Sequence, residues 1–113
     1  MKRILLALLL TLSLTACWDY VKPRVAIDVT NKSHEVIKNI EVNYPGGTYG
    51  ITSLDVYAAN HHVSDIDRKN CVVKMKFEDA TGHPMGGKEI NLGETCPSRI
   101  ALTVDAQLQV VTE

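Results

Sequence analysis

Apolar and polar residues alternate through most of this chain after Arg24, and this period of two constrains the fold more than any other feature. Successive side chains of an extended strand point to opposite faces, so such alternation predicts strands with one buried face. The clearest example is the segment 72–78. In it Val73, Met75 and Phe77 face one way, and the charged residues face the other. No window of helical length shows a 3.6-residue period here, so the sequence predicts an all-β fold.

Turn residues divide this region into about seven short strands, which favours a small antiparallel β-sandwich, immunoglobulin-like or related. The predicted strands are 25–30, 36–44, 49–56, 72–78, 88–93 and 99–113. The last is either one long bent strand or two strands joined near Asp105. In the predicted strand 36–44, Ile37 breaks the alternation of apolar residues, which predicts a bulge near Lys38-Asn39. The polar stretch 58–70 is expected to be the longest loop.

The first residues have a composition unlike the rest of the chain. Lys2 and Arg3 precede an apolar run, 4–14, and small residues lead from it to Cys17. The run has 11 residues, well short of the roughly 20 that a membrane-spanning helix needs. A basic start, a short apolar middle and a small-residue cleavage site are typical of an export signal. We therefore expect residues 1–16 to be removed.

The end of this segment, Leu14-Thr15-Ala16-Cys17, resembles the lipobox of bacterial lipoproteins. The resemblance implies that the chain is cut before Cys17 and that this cysteine is acylated, with membrane lipid as its partner. Trp18, not aspartate, follows the cysteine, which implies the periplasmic face of the outer membrane. Residues 17–24 would form a lipidated N-terminus and short tether. One domain, 25–113, would follow it.

Two further cysteines, Cys71 and Cys96, make an even pair, which in an oxidising compartment predicts a disulfide. Closing a loop of this length is worth roughly 3 kcal/mol in the chain-entropy model. If the neighbouring strands form a hairpin, the core-facing alternation sets Phe77 opposite Ile90, Met75 opposite Leu92, and Cys71 opposite Cys96. The alternative is a bridge between two sheets, as in immunoglobulin-like sandwiches.

Catalytic and metal-binding patterns are weak in this chain. His61-His62 lies near Asp65, but neighbouring side chains of an extended segment diverge, and no metal-ligand spacing is present. A calcium-loop start at Asp65 fails at Asn70, where glycine is needed, and at Lys76, where glutamate is needed. No Gly-x-Ser-x-Gly elbow occurs. The sequence therefore predicts neither an enzyme, nor a cofactor, nor a metal site.

Charge bears on the class of partner. The chain has 12 Lys+Arg and 13 Asp+Glu without a basic stripe, which gives no support for nucleic-acid binding. Two segments, 44–50 and 56–68, carry the aromatic and charged residue types that interface hot spots favour. The predicted partner-binding residues are Tyr44, Tyr49, Tyr57, His61, His62 and Arg68. The alternative, that Tyr44 and Tyr57 lie at the edge of the core, stays open.

These features favour a membrane-anchored, non-catalytic binding module with a protein partner in the periplasm or envelope. One hypothesis is an immunity or inhibitor protein that neutralises a toxin or lytic enzyme. The alternative is an accessory or structural subunit of an outer-membrane or envelope assembly.

Overall fold

The structure, a computed structural model, describes residues 24–66 and 70–112 of the 113-residue chain. The expected export signal, Cys17 and most of the tether lie outside these residues. Eight strands are present in the described part, and no helix: β1 (Arg24–Asn31), β2 (Ile37–Tyr44), β3 (Gly47–Leu54), β4 (Ala59–Asp65), β5 (Val72–Glu78), β6 (Pro84–Asn91), β7 (Arg99–Val104) and β8 (Val110–Thr112). The predicted all-β class is confirmed.

The strands form two four-stranded sheets. The first has the order β4-β1-β7-β8 and the second the order β3-β2-β5-β6. Neighbouring strands are antiparallel, except that β1 and β7 run parallel in the first sheet. The sheets pack as the predicted sandwich, with one parallel pair that the sequence did not indicate. Within the described residues, no helix is long and apolar enough to cross a membrane.

The core between the sheets is built from the alternate residues that the period of two selects. These residues are almost fully buried, and one cluster joins them. The largest are Val25, Ile27, Val29, Ile37, Ile40, Val42, Val73, Met75, Phe77, Ile100, Leu102 and Val104. Burying side chains of this size contributes about 1.5–3 kcal/mol each before the entropy of ordering them is counted.

The bulge predicted in β2 is confirmed. The pairing of β2 with β5 shifts register between Lys38 and Glu41. Between them, Asn39 has a φ of 47°, a left-handed conformation that asparagine adopts more readily than most residues. The extra residue resets the alternation, so Ile37 and Ile40 both face the core although three positions separate them.

The predicted pairing of β5 with β6 is correct, but the predicted register is wrong. Phe77 lies opposite Met85, and Ile90 lies opposite Val73. The register itself shifts between Lys74 and Lys76. The shift arises because the Gly86-Gly87 pair has positive φ and forms a bulge inside β6. The predicted strand, 88–93, begins only after this pair, whereas β6 begins at Pro84.

The predicted disulfide between Cys71 and Cys96 is present, with a Cα–Cα distance of 4.9 Å. Cys71 pairs through its backbone with the segment after β6: Leu92 N–H donates to the Cys71 carbonyl at 2.7 Å. The predicted facing pairs Met75–Leu92 and Cys71–Cys96 are therefore wrong. The bridge ties the start of β5 to the connection between β6 and β7, where the chain crosses from one sheet to the other.

The stretch 58–70, predicted as a loop, contains the seven-residue strand β4. Its inward positions include His62 and Ser64, which pair with core positions of β1. Because polar residues occupy both faces of this edge strand, its period of two is not visible in hydropathy. Of the two alternatives for the final segment, the structure has two strands, β7 and β8, joined by a turn that begins at Asp105.

Candidate protein-binding surface

One end of the sandwich carries the turn that holds Tyr57. Strand β1 starts at Arg24, beside Asp65 of β4, and ends at Asn31. Hydrogen bonds join Asn31 and the residues after it to the β3–β4 connection, the end of β7 and the β5–β6 connection. They are Asn31 N–H to the Ala58 carbonyl, Lys32 N–H to the Val104 carbonyl, and Ala80 N–H to Glu35 Oε1. Arg24, the first described residue, therefore lies at the opposite end of β1 from the Tyr57 turn.

Tyr57 has a strained backbone and an exposed ring. Ala58 N–H donates to the Asp55 carbonyl at 3.0 Å, which closes a β-turn. Within this turn Tyr57 has a φ of 61° and is 70% exposed. A left-handed conformation costs a residue with a Cβ about 1–2 kcal/mol. Such strain is uncommon at an exposed bulky residue and makes Tyr57 a candidate for the site.

Tyr57 differs from the other residues that have a left-handed backbone conformation. The described residues include four that are not glycine and have positive φ: Asn39, Tyr57, Asn70 and Leu108. Two are asparagine, which tolerates this region. Leu108 is half-buried and packs against the core, so burial offsets its strain. Tyr57 lacks both compensations.

Asn31 holds the Tyr57 turn in place. Tyr57 N–H donates to the Asn31 carbonyl at 2.6 Å, and Asn31 Nδ2 donates to the Leu54 carbonyl at 3.0 Å. Asn31 Nδ2 also donates to the Glu35 carbonyl at 2.8 Å, while Oδ1 accepts from Ser33 N–H and Oγ–H. Asn31 and Ser33 are fully buried, and a buried polar side chain satisfied in this way makes its surroundings rigid.

A second group of functional side chains lies on the outer face of the first sheet. Asp28 of β1 contacts His61 Nδ1 on β4 and Arg99 Nε on β7, the latter at 2.6 Å. The Asp28 side chain is only 16% exposed, whereas the histidine and the arginine are open to solvent. The hydrogen bond from His61, followed by the contact with Arg99, lowers the pKa of Asp28 below its ordinary value. The His61 and Arg99 side chains are thereby held in fixed positions on an exposed face.

Among the described residues, the other charged side chains on this face of the sheet are the exposed ion pair between Arg24 and Asp65, at one end of β1 and β4. Besides Asp28, the middle of the first sheet's outer face carries small residues such as Ala26 and Ala101, with Val63 and Val111 exposed at its sides. The outer face of the second sheet instead alternates acidic and basic residues, among them Lys38, Glu41, Lys74, Lys76, Glu78 and Glu89. Interface cores are depleted in charge, so the first sheet offers the better docking face.

Three predicted partner-binding residues instead pack together between edge strands β3 and β4. Tyr49 stacks on His62 with ring centroids 4.1 Å apart, and Tyr44 lies 6.2 Å from Tyr49. The Tyr44 hydroxyl is 2.9 Å from Ser64 Oγ across the two sheets. Burial raises the pKa of Tyr49 to about 12, and its hydroxyl has no hydrogen-bond partner among the described residues. These rings close one side of the core.

The predicted site residues therefore separate into three places. Tyr57 is at one end, His61 is on the outer face of the first sheet, and Tyr44, Tyr49 and His62 are between the sheets. The expected divergence of His61 and His62 to opposite faces is present. The described residues contain no group of three or more His, Cys, Asp or Glu side chains that could hold a metal. Arg68 lies outside the described residues.

Sequence reasoning missed Asp28, Asn31 and Arg99. Asp28 looks like an ordinary outward residue of an alternating strand, and Arg99 is 71 positions away. Only the parallel pairing of β1 with β7 brings them together. Asn31 stood in a predicted turn, where asparagine is common for local reasons.

Comparisons with known proteins bear on the fold alone. Neither a protein-family model nor a curated protein matches the chain. A solved structure described as the NMR structure of a protein from Eubacterium rectale is similar to it, with a TM-score of 0.59 and 19% sequence identity. The similarity covers 81% of this chain and 88% of that chain. The same arrangement of strands is thus compatible with a very different sequence.

Proposed function

We propose that this chain is a lipid-anchored, non-catalytic binding module of the periplasm that captures a protein partner, in the manner of an immunity or inhibitor protein. The anchor in this proposal is Cys17, at the end of the lipobox-like sequence. The partner contacts the Tyr57 turn and the adjoining outer face of the first sheet. The strained and exposed backbone of Tyr57 is the observation that carries the proposal.

The side chain of Tyr57 contributes little to the stability of the fold itself. The residue costs about 1–2 kcal/mol in this conformation, and its ring is mostly in solvent. Asparagine at the same place would fit the turn better. Tyrosine is enriched in interface hot spots because one rigid ring buries a large area at low entropy cost. Binding a partner supplies the stabilisation that folding does not.

Asp28, His61 and Arg99 extend this surface. The arginine and the histidine are both fixed by one carboxylate, so less conformational entropy is lost when a partner orders them. The partner should place apolar residues against Val63 and Val111, and hydrogen-bond acceptors near Arg99. Such a surface favours a folded protein that offers hydrogen-bond acceptors beside apolar residues.

The test is affinity capture from the host envelope and periplasm with residues 18–113, the Cys71–Cys96 bridge intact, as bait. We expect Tyr57→Asn to recover much less partner than the wild type. Its free energy of unfolding, measured with urea, should be higher than that of the wild type by about 1 kcal/mol. Tyr57→Phe, which keeps the ring, is the matched control and should retain most of the capture. If Tyr57→Asn recovers as much partner as the wild type, the proposed contact surface is wrong.

The identity of the captured protein separates the two hypotheses for its class. Recovery of one soluble toxin or lytic enzyme in equal amounts supports the inhibitor function. Recovery of several envelope proteins supports the assembly subunit instead. Reconstitution of the captured enzyme with increasing amounts of bait should then abolish its activity at a 1:1 ratio if the chain is an inhibitor.

A further inference from the structure

The two open sides of the sandwich differ in how their edge strands are protected. On one side, edge strand β6 contains Pro84, the Gly86-Gly87 bulge and Lys88, and edge strand β8 has only three residues. Proline, bulges, lysines and short length are the features by which proteins prevent an edge from pairing with another chain. The cavity of about 300 Å³ between β6 and β8 therefore lies beside protected edges.

The other side has an unprotected edge in β3. This strand is eight residues long, Gly47–Leu54, and contains neither charge nor proline. Its pairs with β2 are continuous from Ile40–Ile51 to Tyr44–Gly47, so the strand is regular around its middle. Among the strands the structure describes, β3 is the outermost of the second sheet. Alternate residues of such a strand direct N–H and C=O groups toward solvent, where they can pair with a further strand.

Gly50 lies at the middle of β3, and the folded chain does not require a glycine there. It does not have positive φ, unlike five other glycines of the described chain. A Cβ at this position would lie 3.6 Å from the Ile40 carbonyl oxygen, an ordinary contact, whereas at Gly47 it would lie 2.8 Å from the Tyr44 hydroxyl. Glycine inside a strand is destabilising by about 0.5–1 kcal/mol relative to alanine. It often marks the close approach of another backbone.

The residues around Gly50 are nearly symmetric about it: Thr48-Tyr49-Gly50-Ile51-Thr52. If two copies pair antiparallel with Gly50 opposite Gly50, each Thr48 faces Thr52 and each Tyr49 faces Ile51. Threonine pairs and aromatic–β-branched pairs are favourable across strands, at about 0.2–1 kcal/mol each. An isologous interface needs this self-complementarity. We propose that β3 is a homodimerisation edge, through which two copies of this chain join their second sheets around Gly50.

The dimer would have one continuous eight-stranded sheet, with a two-fold axis perpendicular to it at Gly50. The absence of charge from β3 means that no like charges are opposed along the pair. The Tyr57 turn, at the end of the sandwich, takes no part in the strand pairing. The dimer therefore does not rest on the proposed function. A chain that dimerises but captures no partner would overturn only the earlier proposal.

The test uses sedimentation equilibrium of the chain from residue 17 with Cys17→Ser, which retains all the described strands and the core. We expect a reversible monomer–dimer equilibrium in the wild type. Gly50→Lys should weaken it about tenfold or more, because lysines then oppose each other directly at the axis. Gln109→Lys is the matched control: this residue lines the cavity on the protected side, and the substitution should leave the dimer unchanged. Circular dichroism checks that each variant is folded.

Mixing two variants tests the register itself. Gly50→Lys and Gly50→Glu should each dimerise weakly alone and form a stronger heterodimer together, because opposite charges then face each other. A wild type that stays monomeric throughout its soluble range overturns the proposal. A dimer that Gly50→Lys does not weaken overturns it as well. Failure of the mixture to associate more strongly than either variant would rule out pairing centred on Gly50.

Discussion

Replacing Asn31 with aspartate tests whether this one side chain holds the Tyr57 turn. Asn31→Asp keeps the size of the side chain and the oxygen that accepts from Ser33, but it removes the Nδ2 donor. The carbonyls of Leu54 and Glu35 then lose a donor. They also face a carboxylate oxygen in a place with no solvent exposure.

The expected decrease in the free energy of unfolding follows from these contacts. Two lost hydrogen bonds contribute about 1 kcal/mol each, and a buried acceptor left without a partner costs about 1–3 kcal/mol more. Together these terms give about 3–5 kcal/mol. The cost of leaving a buried charge uncompensated is also about 3–5 kcal/mol, so we expect a loss of this size. That is a large fraction of the stability of a domain of this size.

Equilibrium urea unfolding at pH 7 measures the effect as a shift of the midpoint. Asn91→Asp is the matched control because Asn91 is exposed and accepts from Gly93 N–H through Oδ1, which aspartate retains. This control should change stability by less than about 0.5 kcal/mol. If Asn31→Asp also stays within about 1 kcal/mol of the wild type, the Asn31 contacts do not support the turn as argued.

Three further predictions concern single positions. Gly86→Ala should cost at least about 3 kcal/mol by urea unfolding, since its Cβ would lie 2.4 Å from the Met75 carbonyl oxygen, while Gly82→Ala, with similar φ and open space, should cost only about 1 kcal/mol. Equal losses would refute the clash. Tyr49→Phe should raise the thermal midpoint or leave it unchanged, because the buried hydroxyl contributes no hydrogen bond within the described structure; a clear decrease would show that the hydroxyl has a partner. The depressed pKa of Asp28 means that its carboxylate stabilises the fold above the unfolded value of 3.8, and this contribution is lost as pH falls through the lower folded value. The stability advantage of the wild type over Asp28→Asn should therefore decrease as pH falls below 3.8, and an advantage that is unchanged at low pH would contradict this linkage.

The sequence predicts the fold class and the core well because burial repeats with a period of two. Val73, Met75 and Phe77 face the core as predicted, and the β2 bulge could be inferred from the broken parity at Ile37. Strand β4 could not be recognised from hydropathy because its inward positions include His62, a polar residue that stacks on Tyr49.

The register of the β5–β6 hairpin depended on conformation, not on hydropathy. Gly86 and Gly87 suit both a turn and a bulge, and only the backbone distinguishes them. The candidate site was harder to predict because its parts come from distant segments. Tyr57 could be singled out by residue type, but its strain and exposure belong to the folded state. The contact between Asp28 and Arg99 depends on a parallel pairing that no local pattern indicates.

The position of β1 between β4 and β7 has a consequence for folding kinetics. The first strand of the domain must pair with residues 59–65 and with residues 99–104, so the first sheet is built almost entirely from contacts distant in sequence. Loop closure makes such contacts slow to form, and β-rich domains of this kind fold in milliseconds to seconds. A chain that is still being synthesised lacks β7 until residue 104 has emerged, and it lacks β8 until residue 112 has emerged. The domain therefore cannot complete its first sheet until nearly all of its strands have been made.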